Sequence, residues 1–250
     1  MASVQKFTAS AVSNELRHNN RQIKNNSNQD IRADLSHLNY DLTPDHGKLT
    51  HYQYYKHRLS ELYHYNRTDV KTLAGWVVTL PYEISMNDRE QQQEFFKAVS
   101  DFFSNRYGSE NVVQSIVHCD EGIRHTVTAP DGTVSEELVA GRPHLHFCFI
   151  PVVPDKSVSH TQTEKVCACK VLTKHELHSA HIELQKYLDG LGIEAKVING
   201  STSGANRTVG ELKETTRLRL ELEQLRQKNV ELQQEIERLH ERNRNEGVHW

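Results

Sequence analysis

A chain of 250 residues with 36% hydrophobic and 25% charged residues holds enough apolar material for one core, and a mean hydropathy of −0.70 marks much of it as solvated. The formal net charge of −3 argues against a uniformly basic nucleic-acid binder. No apolar run approaches the roughly 20 residues that a membrane helix needs, and the opening MASVQKFTAS lacks the charged-then-apolar layout of a secretory signal, so a cytoplasmic protein without a membrane span is expected.

Residues 1–71 are polar, rich in Asn, His and Tyr, and carry 10 Lys/Arg against 7 Asp/Glu, whereas residues 72–208 carry 12 against 17. A basic segment beside an acidic one fits a focused DNA contact next to a cation site. The first segment reads as short strands, turns and one or two helices. AGWVVTL, residues 74–80, reads as a buried strand stopped by Pro81. A helix follows, with Asn87 or Asp88 as N-cap, a stripe of Phe95, Phe96, Val99, Phe102 and Phe103, and Gly108 as its stop. NVVQSIVH (111–118) and HLHFCFI (144–150) read as strands, and Pro130-Asp131-Gly132 as the turn of a hairpin between them. A second helix opens at Thr173 with Glu176 completing a capping box, buries Leu177, Leu184 and Leu188, and ends at Gly190 or Gly192. Val197 and Ile198 read as a short last strand, and residues 200–206 as a linker.

The tail has a period of seven. Leu218, Leu225, Leu232 and Leu239 occupy d positions; Leu222, Asn229 and Ile236 occupy a positions. One Asn at an a position favours a parallel two-stranded coil in a single register, and Glu221 at g would face Arg226 at e of the partner. A homodimer through this coiled coil is therefore expected, with residues 1–206 as the catalytic domain and 207–250 as the zipper helix.

Two clusters carry chemistry. In Arg142-Pro143-His144-Leu145-His146-Phe147, alternate strand residues share a face, so His144 and His146 project together. His118, ending the neighbouring strand in His118-Cys119-Asp120-Glu121, supplies a third imidazole for a divalent ion with open positions. Strict alternation would send Glu121 to the opposite face; a strand end at Cys119 frees it to orient a ligand or take a proton. The second cluster is His18-Asn19-Asn20-Arg21: a neutral imidazole can attack phosphorus, and a guanidinium grips phosphate. The four cysteines, Cys119, Cys148, Cys167 and Cys169, read as reduced thiols, because Cys167-Ala168-Cys169 is too tight for an ordinary zinc knuckle.

The run HNNRQIKNNSNQDIRADLSHLNYDL, residues 18–42, resembles the first motif of the Mob/Pre (MOBV) family of plasmid mobilisation relaxases: HNxR, then N-x-D-I at Asn28, Asp30 and Ile31, then SHLNYDL from Ser36 to Leu42. The HxDE and PHxH elements of that family match His118, Asp120, Glu121, Pro143, His144 and His146, and Arg207-Thr208-Val209-Gly210-Glu211-Leu212-Lys213 is similar to a late family element. The resemblance spans roughly residues 5–213. It implies an α+β relaxase domain of the HUH-endonuclease type, a central antiparallel sheet flanked by helices. It implies Mn²⁺ or Mg²⁺ on His118, His144 and His146, His18 as nucleophile in place of the tyrosine of other relaxase classes, Glu121 as general base or extra ligand, and Arg21 bracing the scissile phosphate. The activity implied is reversible, strand-specific nicking at a plasmid origin of transfer through a 5′-phospho-protein intermediate. Origin DNA would be the partner, with other transfer proteins as further candidates. The segment from Gly122 to Arg142 is longer than the family's spacing, and is read as a lengthened hairpin that leaves both strands in place.

Arg17, Asn19, Lys24, Arg32, Asn39 and Tyr40 are candidate DNA contacts, with Lys48, Lys56 and Arg58 as further backbone contacts and tyrosines as stacking platforms. Two other functions compete. A rolling-circle initiator or transposase with the same histidine pair would attack with a tyrosine, and Tyr187 sits in the corresponding direction. A zipper DNA-binding protein would need a basic helix before its heptads, but Arg207, Lys213, Arg217 and Arg219 are diluted by Glu211 and Glu214.

Overall fold

The computed structural model describes residues 2–23, 30–128, 134–159, 161–198 and 209–246. In chain order these form β1 (Ala2–Thr8), α1 (Ala9–Asn19), a 3₁₀ turn (Ala33–Leu38), β2 (Tyr40–Asp41), α2 (His51–Glu61), β3 (Lys71–Thr79), α3 (Arg89–Tyr107), a 3₁₀ turn (Ser109–Asn111), β4 (Val112–His118), β5 (Gly122–Thr128), β6 (Val134–Ala140), β7 (His144–Phe149), β8 (Val152–Pro154), β9 (Glu164–Val166), α4 (Ala168–Val171), α5 (Lys174–Gly190) and α6 (Val209–Glu246). The chain divides into two units, residues 1–122 with 140–201, and residues 123–139 with 202–250.

The first unit is built on a five-stranded antiparallel sheet in the order β1-β3-β7-β4-β2. Burial on both sides explains the near-continuous apolar runs of β3, β4 and β7. Trp76, Val78, Leu145, Phe147 and Val117 share a core with Phe95, Phe96, Val99 and Phe103 of α3 and with Ala180, Leu184 and Leu188 of α5. Leu73 and Cys148 instead share a core with Val12 and Leu16 of α1 and Tyr55 and Leu59 of α2. The two cores follow from strand alternation: neighbouring residues of one strand serve opposite sides.

Local chemistry sets the helix ends. Asp88 caps α3 by accepting from the Gln91 N–H at 3.0 Å. Gly108 follows at φ 86°, a conformation that strains residues with a Cβ, and such a carbon would also collide with the Glu110 carboxylate. At Thr173 only half of the expected capping box forms. Its side chain accepts from the Glu176 N–H at 3.1 Å, but the Glu176 carboxylate is drawn away to Arg106 and Tyr107. A complete box closes instead at Thr50 and Gln53. Val197 and Ile198 form no strand, because the Val197 N–H donates to the Gln185 side chain rather than to a neighbouring strand. The Pro130-Asp131-Gly132 turn and residues 200–206 lie outside the described residues.

β5 and β6 pair as a two-stranded sheet of their own, separate from the five-stranded one. α6 is 38 residues long, about 57 Å at the usual rise. Leu218, Leu222, Leu225, Leu232, Ile236 and Leu239, at a and d positions of the heptads, are each between 48% and 61% exposed. No helix among the described residues is long and apolar enough to cross a membrane.

Candidate metal centre

β4 and β7 pair with His118 opposite His144, and the next row places Ile116 opposite His146. The hairpin between the two strands therefore leaves their register intact. The three rings gather with centroids 4.5 Å (His118–His146), 5.0 Å (His144–His146) and 5.4 Å (His118–His144) apart, and each offers a ligand nitrogen within 4.8 Å of the others. His118 Nε2 donates to the Asn19 carbonyl at 2.8 Å, which fixes the tautomer and turns the Nδ1 lone pair inward. His118 Nδ1 and His146 Nε2 are buried without a hydrogen-bond partner. Burial, then the neighbouring His144, holds His118 well below the ordinary histidine range, and burial with the surrounding imidazoles does the same to His146. Neutral imidazoles with inward, unpartnered lone pairs are the donor set a divalent cation requires. The residues fit the ion.

β4 ends at His118, one residue before the expected Cys119, and the chain turns so that Glu121 bridges to Ile31. That turn brings the Glu121 carboxylate to the histidine side, 3.7 Å from His144 Nε2 and 3.9 Å from His118 Nδ1. Burial pushes this carboxyl up, but His144, Arg21 and His118 outweigh it and hold it below its usual range. Arg21 ties the group together. Its Nε and Nη2 grip Asp120 at 3.0 and 2.6 Å, and Nη2 also reaches Glu121 at 3.1 Å. Asp120 is fully buried and also accepts from Ser36 Oγ at 2.7 Å, and these bonds hold it ionised well below the carboxylate range against its burial.

Arg21 reaches this position through an unusual backbone. It stands at φ 55° directly after α1. Its N–H donates to the His18 carbonyl at 3.0 Å and the Gln22 N–H to the Arg17 carbonyl at 2.9 Å, the two bonds of a Schellman cap with an arginine where glycine is usual. His18 lies in the last turn of the same helix. Burial first, and the Arg21 charge next, lower its pKa, which favours the neutral ring. A cavity of about 190 Å³ is lined by His18, Glu15, Gln5, Phe7, Gly75 and His146, among others. Nucleophile candidate and metal-ligand candidate thus border one space. Tyr187 instead packs against Phe102 at 5.6 Å, in the α3–α5 core across the sheet, which removes it as the attacking group.

A family model described as plasmid recombination enzyme, Mob/Pre, matches residues 1–209. The chain belongs to the Mob/Pre family. Plasmid recombination enzymes of Streptococcus agalactiae and Bacillus thuringiensis are 24% and 27% identical to it, over 85% and 95% of this chain and 38% and 47% of their own length. One from Lactiplantibacillus plantarum is 26% identical over 78% of this chain and 48% of its own. The chain thus spans less than half the length of these curated relatives. Among solved structures, the Mn-bound MobM relaxase domain (MOBV) in complex with pMV158 oriT DNA superimposes with a TM-score of 0.65 at 24% identity, covering 86% of this chain and 97% of that one. The Mob/Pre chain therefore shares that fold, as the antiparallel sheet implies.

Several of the expected DNA contacts have partners within the fold. Asn19 is 1% exposed, and its amide donates to Gln114 Oε1 at 2.9 Å, so it braces the centre from behind. Asn39 accepts from the Cys119 N–H at 2.7 Å and bonds Asp120 with its side chain. Tyr40 packs on the main core with its hydroxyl buried. Arg58 is buried and ion-paired with Glu61 and Glu164. Tyr55 is buried, and Tyr54 stacks on His46. Arg17, Lys48, Lys56 and Tyr52 remain exposed, and Arg32 is ion-paired with Asp34. Lys24 and Asn28 lie outside the described residues. Sequence reasoning missed a buried relay behind the site. Gln114 Nε2 donates to the Leu16 carbonyl at 3.2 Å and lies 3.0 Å from His51 Nδ1, while His51 Nε2 faces Asp41 at 3.2 Å. Its only sequence signals were a lone glutamine in an apolar strand and a histidine in an unremarkable helix.

Proposed function

We propose that this protein is a relaxase that nicks and rejoins one strand at a plasmid origin of transfer, with His18 as the nucleophile. The observation that carries this is the shared cavity: His18 borders the same space as His146, within a cluster of three imidazoles in which His118 Nδ1 and His146 Nε2 are buried without a hydrogen-bond partner. His118, His144 and His146 would hold Mn²⁺ or Mg²⁺, which when bound polarises a phosphate oxygen. The neutral His18 ring attacks phosphorus; an N–P bond forms and the bond to the 3′-oxygen breaks. The DNA 5′-phosphate stays on His18, and the 3′-oxygen leaves as a hydroxyl with the proton that the imidazole gives up. Glu121 either relays that proton or joins the ligand set. Arg21 spends two nitrogens on Asp120 and Glu121, which leaves the buried Nη1 to face a phosphate oxygen. The bond energy kept in the adduct makes rejoining possible without ATP. The relative bound to oriT DNA with Mn supports the substrate and metal class. The exposed a/d seam of α6, with Asn229 at one a position, supports a parallel homodimer, and the membrane-free, cytoplasmic setting follows from the substrate.

The test is incubation with supercoiled plasmid carrying the candidate origin, in Mn²⁺ and in EDTA, alongside His18→Ala and His144→Ala. Origin-specific open circles and protease-sensitive adducts in Mn²⁺, both lost in His18→Ala, are expected. Nicking that persists in His18→Ala but vanishes in His144→Ala would move the nucleophile to a tyrosine. No nicking with any divalent ion would overturn the enzyme reading.

A further inference from the structure

The cavity beside His18 is larger than the reacting phosphate needs, and its lining has the wrong charge for a second phosphate. Its described lining residues include no Lys or Arg, and one of them is the carboxylate of Glu15. At about 190 Å³ it exceeds the roughly 10–15 Å³ that one water requires and falls below the roughly 300–1,000 Å³ of drug-sized sites, a size suited to one small ring system. Its floor is Gly75, in the interior of β3 and in register with Gln5 on one side and Cys148 on the other. A glycine inside a buried strand costs stability and marks a place where something approaches the backbone closely. A Cβ there would stand 3.3 Å from Phe7 Cε2 and 3.4 Å from Cys148 Sγ, narrowing the space. Phe7 forms an aromatic wall, Gln5 sits at the exposed rim on edge strand β1, and Glu15 projects from α1 one turn before His18. On β7, His146 and Cys148 are two residues apart, so the floor lies about 7 Å along the strand from the metal-ligand row.

We propose that this cavity receives one unpaired nucleobase adjoining the scissile phosphate, and that Gln5 and Glu15 read its edge. Because a carboxylate and an amide oxygen accept hydrogen bonds, the base they select carries an exocyclic amino group, which adenine, cytosine and guanine have and thymine lacks. The site is then a specificity pocket that sets which nucleotide flanks the nick. This inference rests on the relaxase reading for its substrate, but binding tests it without any cleavage.

A single-stranded deoxyoligonucleotide library with a randomised centre is selected on the full chain in EDTA, and the enriched sequences are compared with those selected by Gln5→Ala and Glu15→Gln. The wild type is expected to disfavour thymine against the three amino-bearing bases at one column. Both variants are expected to flatten that column by about tenfold while the neighbouring columns keep their preferences, as removal of one base-edge contact does. Flattening of all columns alike, identical profiles in all three proteins, or a wild-type column favouring thymine, would each overturn the pocket. The enriched oligonucleotide is then incubated in Mn²⁺. Cleavage beside the selected column joins the two readings, whereas column-specific binding without cleavage keeps the pocket and removes the relaxase reading.

Discussion

At the scale of single residues, the histidine cluster is held by side chains packed behind it. Gln114 secures Asn19, and the Asn19 carbonyl orients His118. Gln114→Leu removes the oxygen partner of the Asn19 amide in a buried setting, at a cost of about 1–3 kcal/mol. Because it loosens a metal ligand from behind, Mn²⁺ affinity is expected to drop about 10- to 100-fold. Isothermal titration of the folded variant checks this, and unchanged affinity would detach the relay from the metal. Arg21 gives a sharper case. Arg21→Ala strands the buried Asp120 charge, which costs about 3–5 kcal/mol. The backbone at φ 55° adds a separate term. Arg21→Gly loses the same ion pairs but relieves the left-handed strain, so urea denaturation is expected to find it about 1 kcal/mol more stable than Arg21→Ala. Equal stabilities would refute the strain argument. Both motif residues were legible in sequence, but their partners lie about a hundred positions away, at Asp120 and Gln114, and only the folded chain pairs them.

At the scale of elements, capping and pairing decide where the helices sit. Asp88→Ala removes the cap of α3 and is expected to lower stability by about 1 kcal/mol in a thermal melt. Glu176 shows how a partner redirects a local motif. Burial pushes its carboxyl up, but Arg106 at 2.6 Å and Tyr107 at 2.9 Å pull it further down, so its folded pKa lies below the ordinary value. A carboxyl with a depressed folded pKa contributes stability above its unfolded pKa and loses it as pH falls through the folded one. Glu176→Gln is therefore expected to be less stable than the parent at pH 7, with the difference shrinking below about pH 4.3. Denaturation curves at pH 7 and pH 3 that differ from the parent by the same amount would contradict this. Sequence periodicity placed α3, β4, β7 and α5 because apolar spacing is a local signal. It gave Val197 a strand that does not exist, because the side chain satisfying its N–H, Gln185, is twelve residues away.

At the scale of the whole molecule, the proposed metal and the proposed dimer can be tested separately. An ion that binds only the folded state stabilises it by about 2.7 kcal/mol at a hundredfold excess over Kd. Mn²⁺ is expected to raise the melting temperature of the parent and to leave that of His144→Ala unchanged. Leu232→Glu places a charge in the a/d seam of α6. Sedimentation equilibrium is expected to show dimer for the parent and monomer for the variant, with nicking by the variant retained; a parent that stays monomeric at micromolar concentration would remove the zipper.

The sequence by itself determined the ligand types, the strand that presents His144 and His146 on one side, and the seven-residue period of the tail, because each is a matter of spacing along one segment. Tertiary structure alone decided that Glu121 joins the histidine side, since this depends on where β4 ends and on the bridge to Ile31. It also decided that Asn19 is buried against Gln114 and that Asn39 bonds the Cys119 N–H, since such partners come from other segments. And it created the cavity over Gly75, a space bounded by β1, α1, β3 and β7 that no single segment contains.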